Sequence, residues 1–303
     1  MKKNVKKLAT VVLSVAMFGS VLTGCGSGNS GSSESGTEAA KDTGKAGASS
    51  VITVVSREDG SGTRGAFTEL LGIAEGDVDN TIDTAEVTNS TSVMMTTVAG
   101  DENAIGYISM GSLDNSVKAL KVDGVEANVD NVKSGDYKVA RPFEICVPKD
   151  GEIREEVQDF IDYILSDEGQ TVITDEGYIS VESGKSYSAS GKSGKVTLAG
   201  STSVSPVMEK LTEAYKALNP DVTFEIQQTG SSAGIESATE GACDIGMSSR
   251  ELKPEELEKL NEIQIAMDGI CVIVNTNSSV DDITSEQIKQ IYVGEITDWS
   301  ELN

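Results

Sequence analysis

The chain is built from short apolar runs separated by segments in which apolar residues recur every third or fourth position. Residues 51–55 (VITVV) are unbroken apolar and β-branched side chains, the pattern of a strand covered on both faces. Runs of the same kind occupy 104–108 (AIGYI), 142–147 (PFEICV) and 270–274 (ICVIV), with shorter ones at 195–198 and 223–226. Between them the period changes. Residues 63–71 and 92–99 read as helices. So does 154–173, where Val157, Phe160, Ile161, Ile164 and Leu165 share a face. Pro206 reads as the first helical position of a helix that carries Val207, Leu211, Tyr215 and Leu218 on one buried face. A short helix is predicted near Ala233, and another over 284–292 with Thr284 as its N-cap. Strands alternating with helices predict an α/β architecture with largely parallel sheets.

Two stretches lack periodicity. Residues 26–50 and 183–195 (SGKSYSASGKSGK) are rich in Gly, Ser and Ala and read as linkers. Ahead of the first lies a targeting segment. Lys2, Lys3, Lys6 and Lys7 precede a mostly apolar run over 8–22, short for a membrane span and suited to a signal peptide. The run ends in Leu22-Thr23-Gly24-Cys25, where a small residue before Cys resembles a bacterial lipobox. Residues 1–24 are therefore expected to be removed, Cys25 to be lipidated (palmitate among its acyl chains), and 25–50 to tether a folded body to the outer face of the bacterial cell membrane.

Composition narrows the chemistry. The 303 residues are enough for two domains and carry 24 Lys and Arg against 49 Asp and Glu. Cleavage before Cys25 would take four Lys and no acid, leaving 20 against 49, a net charge of −29. So acidic a body does not suit a nucleic-acid backbone. With no His, the commonest general base and metal ligand are both missing, and no metal or cofactor is expected. Cys146, Cys243 and Cys271 are an odd number in apolar surroundings without C-x-x-C spacing, which speaks against a disulfide framework.

One local chemistry recurs. Gly60-Ser61-Gly62-Thr63, Gly200-Ser201-Thr202-Ser203 and Thr229-Gly230-Ser231-Ser232 each precede a predicted helix. Each offers backbone N–H groups, hydroxyls and the positive end of a helix dipole, which together suit an oxyanion. Ordinary N-capping explains any one of them. Gly60, Gly62 and Gly65 also spell G-x-G-x-x-G, a pattern found in dinucleotide folds. Arg57 adds a guanidinium able to fork onto an oxyanion, and Asp59 stands two residues away to orient it.

The segments VVSREDGSGTRGAFTEL, GSTSVSPVMEKLTEAYK, QQTGSSAGIESATEGACDIGMSSREL and IYVGEITDWSEL closely resemble the phosphate-binding proteins of ABC-type high-affinity phosphate importers. The resemblance covers about 51–303. It implies a type II periplasmic-binding-protein fold, two α/β lobes joined by two crossing strands around a cleft. The order of segments is inverted relative to that family, which implies a circular permutant with 183–195 joining the usual ends. Asn303 would then lie near the residues before Val51. The lobes would be 51–138 plus 272–303, and 139–271, with ARPFEICV and DGICVIV as crossing strands. Cys146 and Cys271, one in each, are expected close together.

By position, the resemblance carries phosphate contacts onto Arg57, Ser61, Gly62 and Thr63 from one lobe, and onto Thr202, Ser203 and Ser231 from the other. Ser249 falls where some members have an Asp that accepts a phosphate proton, which bears on the rejection of sulfate. Arg64 and Arg250 lie beside ligand positions and serve either as extra charge or as surface or interlobe ion pairs. The function implied is capture of inorganic phosphate by a monomeric, non-enzymatic lipoprotein that delivers it to the membrane subunits of an ABC permease. Another tetrahedral oxyanion, and a sensing or scavenging lipoprotein without a permease, remain alternatives. A dehydrogenase is disfavoured by the export signal. An enzyme acting on phosphate esters is disfavoured by the missing His and by the lack of a visible nucleophile–base pair.

Overall fold

The structure is a computed structural model that describes residues 50–76 and 78–302. The expected signal peptide, the lipidation site Cys25, nearly all of the tether and Asn303 lie outside the described residues. In chain order the main elements are β1 (Thr53–Arg57), α1 (Gly62–Leu70), β2 (Glu86–Thr88), α2 (Thr91–Gly100), β3 (Ala104–Ser109), α3 (Val129–Ser134) and β4 (Ala140–Pro148). Then come α4 (Glu155–Ile164), α5 (Asp167–Asp175), β5 (Gly194–Gly200), α6 (Ser205–Leu218), β6 (Val222–Gln228), α7 (Ser231–Thr239), β7 (Ile245–Ser248), α8 (Pro254–Leu257), β8 (Leu260–Asn275) and α9 (Ser285–Tyr292). Among the described residues no helix is long and apolar enough to cross a membrane.

The sheet path runs β6-β5-β7-β4-β8-β3-β1-β2. Its two flanks are parallel, as expected from the βα alternation. Its centre is not: β7–β4, β4–β8 and β8–β3 are all antiparallel. The reason lies in β8, a single strand that pairs with β4 over Leu260–Gly269 and with β3 over Ile270–Val274. A strand that passes from one half of the sheet to the other imposes its own direction on both neighbours.

On either side of this crossing sits a separate hydrophobic core. One contains Val55, Phe67, Met94, Ile105, Val272 and Ile288; the other contains Phe143, Phe160, Leu198, Leu211, Tyr215 and Ile245. Helix α4 shows why these residues form a helix there. Val157, Phe160, Ile161 and Ile164 are all buried along one face, each worth roughly 1.5–3 kcal/mol of transfer free energy. The crossing strands carry a buried ion pair, with Arg141 Nη2 donating to Asp268 Oδ2 at 3.2 Å.

Several sequence expectations are corrected. Residues 154–173 form two helices rather than one. Ser166 ends the first by donating to Tyr163 O (2.6 Å) and caps the second by accepting from Gly169 N (3.2 Å). Pro206 is the second residue of α6, and Leu218, its last residue, is 40% exposed rather than buried. Cys146 and Cys271 are not neighbours. Cys146 stands opposite Glu262, nine residues along β8 from Cys271, and all three described cysteines are free and buried. The 183–195 segment is not a loose linker, because Tyr187 Oη donates to Asp159 Oδ2 (2.6 Å) and its ring packs on Tyr163.

Candidate functional site

Four helix starts meet at one place, where the two halves of the sheet face each other. Ser61 caps α1 by accepting from Arg64 N (3.4 Å), and Ser90 caps α2 by accepting from Val93 N (3.2 Å). Ser201 Oγ holds the turn before α6 by accepting from Ser203 N and Val204 N (3.2 and 3.3 Å). Helix α7 begins at Ser231 after Gly230 (φ 88°), with no side-chain cap. At such starts the first N–H groups lack intrahelical acceptors, and the helix dipole adds partial positive charge.

The hydroxyls of these turns form a single buried cluster. Thr63 Oγ1 and Ser203 Oγ lie 2.8 Å apart. Thr91 Oγ1 is 3.4 Å from both Thr202 Oγ1 and Ser203 Oγ. Ser201 Oγ donates to Ser249 Oγ at 3.0 Å, and Ser249 N donates to Ser231 Oγ at 3.2 Å. Arg57 closes the cluster from β1, 2% exposed, with Nη2 donating to Thr202 Oγ1 at 3.0 Å. The core behind holds Arg57 in place. Tyr107 stacks on Phe67 with centroids 3.9 Å apart, and its hydroxyl accepts from Arg57 N at 3.1 Å. Burial pushes Tyr107 up to about 12, so it stays neutral.

The structure brings Arg57, Thr63, Thr202, Ser203, Ser231 and Ser249 together, with Gly62 against Ser231 and Ser249 and with Ser61 capping the helix that carries Thr63. Asp59 is corrected. It does not orient Arg57; that role falls to Glu58, whose two oxygens accept from Arg57 Nε and Nη2, both at 2.8 Å. Asp59 sits past the strand end in an exposed turn and pairs with Arg64 Nη1 (2.8 Å). Arg64 also binds Asp79 (2.7 Å), and Arg250 forks onto Glu256 with both bonds at 2.8 Å. Both arginines are therefore already paired with carboxylates. The sequence reading missed Glu58 and Thr91, and it quoted Ser201 within its loop without naming it as a contact. Thr91 was within reach, since Asn89-Ser90-Thr91-Ser92 is a fourth hydroxyl-rich helix start of the kind singled out elsewhere.

Such a site can do one thing well. Rotatable hydroxyls, helix starts and a guanidinium gathered in one buried cluster are the chemistry that suits a small oxyanion, because burial strengthens each such bond. No group of three or more His, Cys, Asp or Glu able to hold a metal ion occurs among the described residues.

Comparison with known proteins agrees with this chemistry. Residues 33–168 and 185–303 match the model of the PBP superfamily domain. Over 309 positions the chain is 50% identical to phosphate-binding protein PstS 2 of Streptococcus agalactiae, covering 100% of both. The chain belongs to the phosphate-binding-protein family. A member of this family from Streptococcus pneumoniae serotype 4, also PstS 2, is 43% identical over 302 residues, covering 98% of this chain and 99% of the relative. The crystal structure of a phosphate ABC transporter's phosphate-binding protein from Streptococcus pneumoniae TIGR4 superposes with a TM-score of 0.68 at 46% identity. It covers 84% of this chain and 100% of that one. The phosphate-binding family thus accounts for the type II periplasmic-binding-protein fold, with its mixed sheet crossing between two cores.

Proposed function

We propose that this protein captures inorganic phosphate between two lobes, outside the cytoplasm, and delivers it to the membrane subunits of an ABC permease without acting as an enzyme. The observation that carries this reading is the buried cluster of Arg57, Thr63, Thr202, Ser203, Ser231 and Ser249 contributed by both lobes, in a chain half identical along its whole length to a phosphate-binding protein. The lobes are read as 51–138 plus 272–303, and 139–271. The expected removal of residues 1–24 and lipidation of Cys25 would keep the body at the membrane surface as a monomer.

The circularly permuted order is part of the proposal. One observation supports it: the two ends of the folded body lie side by side, with Ile52 N donating to Thr297 O (2.8 Å) and Trp299 N to Ser50 O (2.9 Å). The alignment with the Streptococcus agalactiae relative runs the length of both chains, so the order is shared with that relative and is not peculiar to this chain.

Calorimetric titration of the protein lacking residues 1–25, stripped of endogenous ligand, tests the function. One phosphate per chain is expected. Arg57→Ala should weaken binding at least 100-fold, because it removes charge-assisted bonds worth about 3 kcal/mol and leaves Glu58 unpaired beside the anion. Sulfate and arsenate titrated in parallel test Ser249. A hydroxyl accepts a phosphate proton but does not repel a fully deprotonated anion as a carboxylate would, so discrimination against sulfate should be weak and should rise in Ser249→Asp. Absence of phosphate binding by the parent protein would refute the reading.

A further inference from the structure

The glycines that spell G-x-G-x-x-G all face the opposite lobe. A Cβ added at Gly60 would meet Ser232 Cβ at 3.2 Å, and one at Gly62 would meet Ser231 Oγ at 2.4 Å and Ser249 Oγ at 2.7 Å. One at Gly65 would rest 3.7 Å from Arg250 Cδ. The opposing surface is itself fixed. Ser232 N donates across the gap to Gly60 O at 3.0 Å. Ser231 Oγ accepts from Ser249 N, and Ser249 Oγ accepts from Ser201 Oγ, so neither hydroxyl swings aside without losing a bond. Arg250 is tied to Glu256 and reaches Ser232 Oγ at 3.4 Å, so its methylene stem is what meets Gly65.

We infer that Gly60, Gly62 and Gly65 form the track on which the second lobe docks, and that the missing side chain at Gly62 sets how far the lobes close. This rests on reading the protein as a two-lobed phosphate binder, and it gives the glycine motif a role unrelated to dinucleotides. The spacing follows from the geometry. Gly60 lies in the turn and Gly62 opens α1, and Gly65 lies three residues on, on the same side of that helix. A Cβ at Gly62 sits in sub-van-der-Waals contact with two anchored oxygens, and the relief is to part the lobes. Parting lengthens Thr63–Ser203 and Arg57–Thr202, the two shortest side-chain contacts that bridge the lobes within the binding cluster, and with them the longer contacts of Thr91 to Thr202 and Ser203. At Gly65 the outcome depends on size: Ala fits in ordinary contact, whereas Leu must displace the Arg250 stem.

The test places spin labels on cysteines introduced at the exposed Val87 and Leu218, one per lobe, and measures the inter-label distance and the phosphate release rate. The parent and Gly65→Ala are expected to share one distance with saturating phosphate. Gly62→Ala and Gly65→Leu are expected to hold a longer distance and to release phosphate at least tenfold faster, with melting transitions showing that both fold. Parent-like distance and release in both of these variants would overturn the inference. If Gly62→Ala does not fold, Gly65→Leu decides alone, since leucine favours a helix more than glycine does. If calorimetry shows that the parent binds no phosphate, the functional reading fails separately, and the ligand-free distances decide: a parent shorter than Gly62→Ala supports the track, and equal distances refute it.

Discussion

Glu144 is a carboxyl group held against its chemistry. It lies on β4 opposite Gln264 and Ser248, and its Oε2 is buried without a hydrogen-bond partner. Burial, followed by repulsion from Glu262 and Glu251, pushes it up to about 8. From its ordinary value of 4.5 up to that point, the folded state keeps a proton that the unfolded chain has released. The folded protein therefore binds more protons in that window, and stability falls as pH rises through it. Glu144→Gln should remove this slope. Urea midpoints should be close to the parent's at pH 4, and higher at pH 8 by an equivalent of a few kcal/mol. An equal difference at both pH values would show that the substitution acts through packing alone. Glu58 is the contrasting case. Its carboxylate is also close to the site, but both oxygens are taken by Arg57, so its charge is balanced where it stands.

At the scale of elements, what the sequence made legible was whatever local physics decides. The N-cap at Thr284, the buried face of α4 and the apolar strands on the flanks could be read from period and capping alone. The long extent of β8 could not. Leu260–Gln264 mixes apolar and charged positions, and pairing with β4 is what makes those residues a strand. The same tertiary pairing turned a predicted parallel sheet into a mixed one. Among site residues, Thr202 and Ser203 carried a visible signature. Glu58 did not, because nothing in Arg57-Glu58-Asp59 says which acid turns back toward the guanidinium. Residues 183–195 failed for a related reason: composition reports low intrinsic order but not docking. Tyr187 packs against both Tyr163 and Tyr215, which also touch each other, and Asp159 accepts from Tyr187, Ser190 and Tyr215. Burial of Asp159 acts to raise it, but these three hydroxyls win and hold it below its ordinary value. Tyr187→Ala should therefore cost about 2 kcal/mol. It should also speed proteolytic cutting within 183–195 at least tenfold while leaving phosphate affinity unchanged. Equal cutting rates in parent and variant would mean that the segment is a free linker after all.

At the scale of the whole molecule the net charge opposes the function. The chain carries −25 overall, and the ligand is an anion. Two distances decide how much this matters. Inside the site the partners lie within about 3 Å of one another, where dipoles and Arg57 act with little solvent between. Across the surface the field reaches only a Debye length, about 30 Å at 0.01 M salt and 8 Å at 0.15 M. The acidic body should thus slow the approach of phosphate without weakening the closed complex. The cations nearest the site do little to offset this, since Arg64 and Arg250 are paired with Asp79 and Glu256. Stopped-flow measurement of phosphate binding between 0.01 and 0.15 M NaCl should show the association rate rising severalfold with salt, because screening removes the repulsion. The dissociation rate should hardly change. An association rate that fell with salt would mean that Arg64 and Arg250 dominate the field at the entrance, and that their ion pairs open before the anion arrives.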